Sequence, residues 1–383
     1  MTALKKLLKY IKKEPMLPVA VAAALVSLFI TPPSARTLGD IDWRTLVTLF
    51  LMLTVLEGFK KENVFVPLLR LASKLRRLAA LGLFLVFSVF FTSMFVTNDV
   101  SLIIFVPLTI ILFRAAGKER YILPLLALEN IAAVRGSLLT PFGSPQNLYI
   151  FGRSGVGALK FVMYMLPICA ISGALLVIFV LFVFRCELKG VTDIPADTFP
   201  AKLDPERRKY RAAYLVLFAA VLFMIVSRTE YWIYIAAVLI AVILLFDRGV
   251  LLKCDYVLLV TFFCFFVFSS SVAANPAVAA FLSKLIAGHE YAGSIAVSQV
   301  ISNVPAAIVL YPFAVNRGAL LYGLDSAGLV TIIGSLASVI NYRIYVREYP
   351  GRGMDFIKTF TLVSLAFFLL VVLPGYFISL TPL

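Results

Sequence analysis

The chain of 383 residues is 62% hydrophobic and 14% charged, with 35 Lys and Arg against 20 Asp and Glu. A soluble domain is about 45–50% apolar and about 25% charged, and soluble cores stop growing near ~250–300 residues. The composition therefore excludes a soluble enzyme, a disordered chain and a nucleic-acid-binding module, and makes the lipid bilayer the solvent for most of the sequence.

The first segment, MTALKKLLKYIKKEP, is basic and precedes an apolar run without a small-residue cleavage site. It reads as an amphipathic cytoplasmic lead-in to a first membrane helix. A helix needs about 20 apolar residues to cross the hydrocarbon. Stretches of that kind are 16–31, 43–59, 161–184, 212–227, 231–246, 256–273 and 356–380. Four other apolar stretches, 78–113, 121–151, 277–316 and 318–345, are interrupted near the middle by polar residues. The segment 185–211 mixes both charge signs and is too short to fold alone, so it reads as a cytoplasmic linker between a first half, 1–184, and a second, 212–383. Cys169, Cys186, Cys254 and Cys264 are scattered fillers with no paired spacing.

With the N-terminus cytoplasmic, the cytoplasmic segments become 1–15, 60–77, 114–120, 185–211, 247–255 and 343–358, and they hold about 27 of the 35 Lys and Arg. That bias sets orientation in a multi-pass protein of the cytoplasmic (inner) membrane and leaves the C-terminus on the outer side. It also accounts for the net charge of +15 without a nucleic-acid partner. Residues 78–113 then begin and end on the cytoplasmic side, and 277–316 begin and end on the outer side. Each reads as a re-entrant hairpin, one from each face. Residues 121–151 and 318–345 read as broken helices.

The two halves match each other. IDWRTLVTLF (41–50) resembles CDYVLLVTFF (254–263), which aligns Asp42 with Asp255. TNDVSLIIFVP (97–107) resembles SNVPAAIVLYP (302–312), and TPFGSPQN (140–147) resembles TIIGSLAS (331–338). The first copy starts outside and the second inside, so the repeats are inverted, an architecture of secondary transporters. The expected fold is an all-α polytopic membrane protein of two inverted-topology repeats. Each carries a re-entrant helical hairpin and an unwound, discontinuous transmembrane helix, with about 11 spans in addition to the hairpins.

Irregular backbone at membrane depth persists only where protein buries it or water lines it. Half-helix N-termini at such breaks favour anions, and unwound carbonyls favour a small cation. The substrate-binding candidates are therefore Thr97, Asn98, Thr140, Ser144, Asn147, Ser302, Asn303, Thr331 and Ser335, with Gln146 beside them. An acid at membrane depth is costly and functional by default, so Asp99 reads as a proton carrier or cation ligand. Glu129 and Arg135 read as a charge pair, with Arg135 alternatively facing Asp99 or an anionic substrate. Glu57 lies near a span end, and His289 reads as solvated. No catalytic motif stands in a suitable context, which points away from an enzyme.

At TNDVSLIIFVPL and GSLLTPFGSPQNLYIF the chain resembles the ion-transporter superfamily, which includes arsenical-pump membrane proteins, NhaD-type sodium/proton antiporters, citrate permeases and divalent-anion/sodium symporters. The resemblance extends over about residues 40–380. In the symporters a Ser-Asn-Thr motif at each hairpin tip helps hold carboxylate and sodium. Here the tips read Thr97-Asn98-Asp99 and Ser302-Asn303-Val304, so both Asn are kept and both third positions depart. The resemblance implies sodium positions at Asn98 and Gly143 in one half and Asn303 and Gly334 in the other. It also makes a homodimer an expectation. The Asn98-Asp99 pair looks more like the arsenical-pump branch. The function expected is secondary active transport, by alternating access, of a small anion or its protonated acid. Na+ or H+ would be the coupling ion, with no cofactor or metal beyond it. An arsenite-type exporter or Na+/H+ antiporter is the alternative, and an ion channel a remote one.

Overall fold

The computed structural model describes residues 16–32, 35–188, 190–191, 194, 198, 203–381 and 383. The basic lead-in at 1–15 and much of the linker lie outside the described residues. The described secondary structure is helical, apart from one isolated bridge between Arg77 and Val191.

Two helices form the centre, α7 (Ile122–Ser137) and α16 (Arg317–Ala327). Every residue from Leu125 to Ser137 and from Gly318 to Ala327 is buried. A helix apolar all round is an interior helix. Each central helix packs against the hairpin of its own half. In the first half the limbs are α5 (Leu78–Val96) and α6 (Asn98–Ala115), and in the second they are α14 (Glu290–Ile301) and α15 (Asn303–Leu310). The central helices are continued, after a break, by α8 (Pro145–Ser154) and α17 (Leu336–Glu348).

The hairpins interlock crosswise. The second limb of the first hairpin, α6, packs along α17 of the other half, and α15 packs along α8. Around this centre stand α1 (Met16–Ile30), α3 (Trp43–Lys61), α9 (Ala158–Val183), α10 (Arg208–Ser227), α11 (Trp232–Leu251), α12 (Tyr256–Ala274) and α18 (Gly353–Ser379). The outer helices expose large apolar side chains such as Phe182, Phe223, Leu245 and Leu369. In water such a belt would be costly; it is the surface a bilayer covers. Among the described residues, seven helices of 18 or more residues are apolar enough to cross a membrane, α5, α6, α9, α11, α12, α18 and one formed by α10 with the turn preceding it.

The depth of the breaks follows from helix lengths. At 1.5 Å per residue, α8 places the first break about 15 Å from one face, and α16 places the second about 16 Å from that same face. The limbs α5 and α6 reach about 28 Å from the other, basic face and stop at that level. Limb α14 of the second hairpin, about 18 Å long from the first face, brings its tip to a similar depth, so tips and breaks of both halves lie near one level.

The second hairpin is shorter than the interval 277–316. Asn275 caps a separate helix, α13 (Pro276–Ile286), by accepting from the backbone N–H groups of Ala277 and Val278. Only Ile286 of that helix is buried, and Gly288, at φ 80°, turns the chain into α14. Asn-Pro is a helix start and a positive-φ Gly is a helix stop, so the segment divides there. His289 follows this turn, exposed at the start of α14.

On the basic face, Lys118 and Arg120 in the turn between α6 and α7 both bond to Glu187 in the linker, Lys118 at 2.9 Å. The hydrogen bond from Lys118 and the charges of both cations hold the Glu187 carboxyl below its usual range.

Candidate functional site

The two hairpin tips have one unusual backbone. Thr97 lies at φ 73°, ψ 153° and Ser302 at φ 69°, ψ 160°. This region is essentially glycine's, and another residue there stores about 1–3 kcal/mol of strain. The strained residue turns the chain so that Asn98 and Asn303 begin the returning limbs. Both Asn are buried. Asn98 Oδ1 accepts from the N–H of Asp99 at 2.9 Å, and Asn303 Nδ2 donates to the carbonyl of Leu324 at 3.5 Å. Asp99 is half-buried, and its Oδ1 is enclosed without a protein partner.

The breaks repeat each other as closely. Gly143 N–H donates to Thr140 O at 3.3 Å and Gly334 N–H to Thr331 O at 3.2 Å. A Cβ on Gly143 would stand 2.1 Å from the carbonyl oxygen of Ser137, and on Gly334 2.2 Å from that of Ala327. Neither position has room for a side chain. Ser144 and Ser335 follow in extended backbone, both at φ −147°, and open α8 and α17. Ser144 accepts from the N–H of Asn147 at 3.4 Å, while Ser335 makes no such cap. Asn147 Nδ2 donates back to the carbonyls of Ser137 and Leu138, at 3.4 and 3.2 Å, closing the first break on itself.

Tip and break are joined in each half at equivalent places. Thr140 Oγ1 donates to the carbonyl of Met94, one turn before the first tip. Thr331 Oγ1 donates to Oε1 of Gln299, one turn before the second, at 2.7 Å. Four helix N-termini (α6, α8, α15 and α17) thus start at one depth beside unwound carbonyls. The first favour negative charge and the second a small cation.

Asp325, which the sequence reading passed over, joins the halves. Gln146 Nε2 donates to its Oδ1 at 3.0 Å, and Arg135 Nη1 donates to its backbone carbonyl at 3.4 Å. Both Arg135 and Asp325 are fully buried. Arg135 also donates to Ser172 at 2.9 Å and to Ser326 at 3.5 Å. The Glu129–Arg135 and Asp99–Arg135 pairs are not formed. Glu129 instead accepts from Thr109. Glu57 pairs with Lys60 at 2.5 Å. The signal for Asp325 was an acid inside an apolar run, at the same offset that relates Thr140 to Thr331. That offset sets it opposite Val134, beside Arg135.

A cavity of about 130 Å³ reaches this depth from the basic face. Asp255 and Arg343 line its outer part, and Thr261, Ser302, Val304 and Ile333 its inner part. On the opposite face the equivalent acid, Asp42, is closed against Arg153 of α8 at 3.2 Å. Asp42 and Asp255 have the same backbone, φ −81°, ψ 77° and φ −76°, ψ 80°, and each caps its helix. The halves differ accordingly at their breaks: Thr140 is buried and Thr331 exposed.

The sequence profile of the citrate transporter family matches residues 7–334. The chain belongs to that family. The matched family lies within the ion-transporter superfamily that the sequence resembles. Among curated proteins the chain is 31% identical over 317 residues to the inner membrane protein YbiR of Escherichia coli K12, covering 79% of this chain and 80% of that protein. It is 29% identical over 307 residues to the uncharacterized transporter MJ0456 of Methanocaldococcus jannaschii, covering 79% and 81%. The crystal structure of the Alcanivorax borkumensis YdaH transporter, described as having an unusual topology, aligns over 95% of this chain and 96% of that one. The TM-score is 0.58 and the identity 15%, a likeness of fold. As a member of the family, the protein is a multi-pass membrane transporter.

Proposed function

We propose that this transporter is a secondary carrier that moves a small carboxylate or related anion, or its protonated acid, across the cytoplasmic membrane together with Na+ or H+. Asn98, Asn303, Thr140 and Thr331 line the binding place at the shared depth of tips and breaks. Gly143 and Gly334 hold the backbone carbonyls close to it. The family name carries citrate. Asp99 at the first tip would repel a bare tricarboxylate, so the anion enters with a cation, and Asp99 is the group that carries a proton or faces that cation.

One observation carries the alternating-access part of this reading. Two equivalent acids on opposite faces are in different states: Asp42 is closed on Arg153, while Asp255 borders a cavity that reaches Ser302. A channel needs no such alternation. The Lys and Arg bias puts the open side in the cytoplasm, so this is an inward-facing form with the C-terminus outside.

The test is uptake into proteoliposomes. Labelled mono-, di- and tricarboxylates, with arsenite beside them, are offered under an imposed Na+ or pH gradient. Accumulation above the equilibrium level is expected for at least one carboxylate. Flux that never exceeds equilibrium would identify a channel, and uphill flux of arsenite alone would return the chain to the exporter alternative. Asp99→Asn is expected to change both the rate and its pH dependence; if neither changes, Asp99 is not the coupling group.

A further inference from the structure

A second polar group lies away from the tips, where α6, α7 and α17 meet. Thr109 of α6 donates to Oε1 of Glu129 on α7. Asn130, the next residue, donates through Nδ2 to Ser338 Oγ on α17 at 3.0 Å. Asn341, one turn further along α17, donates through Nδ2 to the carbonyl of Leu126, one turn earlier on α7, at 2.7 Å. The two bonds therefore run between antiparallel helices about 5.4 Å apart along the axis. That sets the two amide groups side by side, with Glu129 in the same turn. Thr109, Glu129, Asn130, Ser338 and Asn341 are all 0% exposed.

Each of the three carbonyl-bearing side chains keeps one oxygen without a protein partner: Glu129 Oε2, Asn130 Oδ1 and Asn341 Oδ1. Buried polar atoms are almost always paired, so three orphan acceptors within one turn call for a common partner. All three are oxygens, which excludes an anion and asks for a donor or a cation. A proton on Glu129 would pair one amide oxygen and leave the other unsatisfied. A hard cation takes several oxygens at once. One carboxylate balances one positive charge, and among the described residues no group of three or more His, Cys, Asp or Glu gathers to hold a multivalent ion.

We propose that Glu129, Asn130 and Asn341 form a buried site for a monovalent metal cation of the sodium class. It lies about 10 Å from the start of α7, between the basic face and the hairpin tips, and is distinct from the Asn-Gly positions there. Its role in coupling rests on the carrier reading above; the binding does not.

The test reads binding without transport. The purified protein in detergent is heated in increasing NaCl against choline chloride at fixed ionic strength and pH. A ligand that binds only the folded state raises the melting temperature progressively with its concentration. The Na+-selective rise is expected in the unaltered protein and in Glu187→Gln, whose substitution lies in the linker. In Glu129→Gln, which keeps the side chain's shape, the rise is expected to lose the part owed to this site, so that it is clearly smaller than in the unaltered protein at every Na+ concentration. Should that variant fail to fold, Asn130→Ala is the second probe, with the half-effective Na+ concentration raised at least about tenfold. The proposal is overturned if the unaltered protein shows no Na+-selective rise. It is equally overturned if the rise survives both substitutions undiminished, or if Glu129→Gln removes a dependence on pH and leaves the dependence on Na+ unchanged.

Discussion

Gln146 donates to Asp325 at 3.0 Å, and that bond fastens the break of one half to the central helix of the other. Both residues are buried, so the bond cannot be exchanged for water. Gln146→Leu removes a donor and leaves a buried acid underserved, which costs about 1–3 kcal/mol. Chemical denaturation in detergent measures it. Adding Asp325→Leu to Gln146→Leu is expected to recover part of the loss, because both partners are then apolar. A double-mutant cycle with no interaction between the two positions would show that the bond carries nothing.

The unequal faces give a labelling prediction. Phe142 and Ile333 occupy equivalent places in the two breaks; Phe142 is half-buried, while Ile333 is 53% exposed and lines the cavity. With the four native cysteines replaced by serine, Ile333→Cys is expected to react with a membrane-impermeant thiol reagent from the basic face. Phe142→Cys is expected to be protected from both faces. Arg153→Gln, by removing the ion pair with Asp42, raises labelling of Phe142→Cys from the opposite face about two- to fivefold, the factor that ~0.5–1 kcal/mol supplies.

The strained tips predict an inverted ranking of substitutions. Glycine ordinarily destabilises relative to alanine because the unfolded chain is freer. At Ser302 the order reverses: Ser302→Gly is expected to be about 1 kcal/mol more stable than Ser302→Ala, since φ 69° with ψ 160° suits glycine alone. Equal melting temperatures for the two variants would mean that the tip relaxes when its side chain is shortened. Transport is expected to fall in Ser302→Gly, because the strain is what fixes Asn303.

A pH dependence follows from the clamp on the linker. Lys118 and Arg120 depress the pKa of Glu187 in the folded protein. A depressed carboxyl pKa adds stability that is complete above the unfolded value of about 4.3. The contribution is lost as pH falls through the lower, folded value. Glu187→Gln therefore lowers the melting temperature slightly at neutral pH, and the difference closes in acid. A gap that widened on acidification would mean that Glu187 is not ion-paired in the folded state.

Much of this arrangement is legible in the residues. Thr97-Asn98 and Ser302-Asn303, each with a proline nine residues after the Asn, mark the tips because a hydroxyl–Asn pair interrupts an otherwise apolar run. Thr140-to-Ser144 and Thr331-to-Ser335 mark the breaks because glycine and serine repeat at one spacing. Asp325 is less legible, since its significance lies in Gln146 and Arg135, which are distant in sequence. The supposed Glu129–Arg135 pair fails on the helix period alone: six residues put them about 240° apart around α7. The difference between buried Thr140 and exposed Thr331 is not written in either segment. It comes from how the two halves pack around each break, with Arg153 closing on Asp42 in one half and a cavity reaching Ile333 in the other.

The two hairpins are not of equal size. The first has limbs of 19 and 18 residues, the second of 12 and 8 followed by a single 3-10 turn at Tyr311–Phe313. In the proposed alternating carrier, halves so mismatched would not exchange roles at zero cost, and the empty protein would have a resting preference for one orientation. A ligand met from the favoured side finds most molecules ready, and one met from the other side has its apparent affinity reduced by the fraction that is competent. In the proposed carrier, the ion gradient would decide the direction of net movement. The inequality of the hairpins decides something separate: how differently the same substrate is felt at the two surfaces of the membrane.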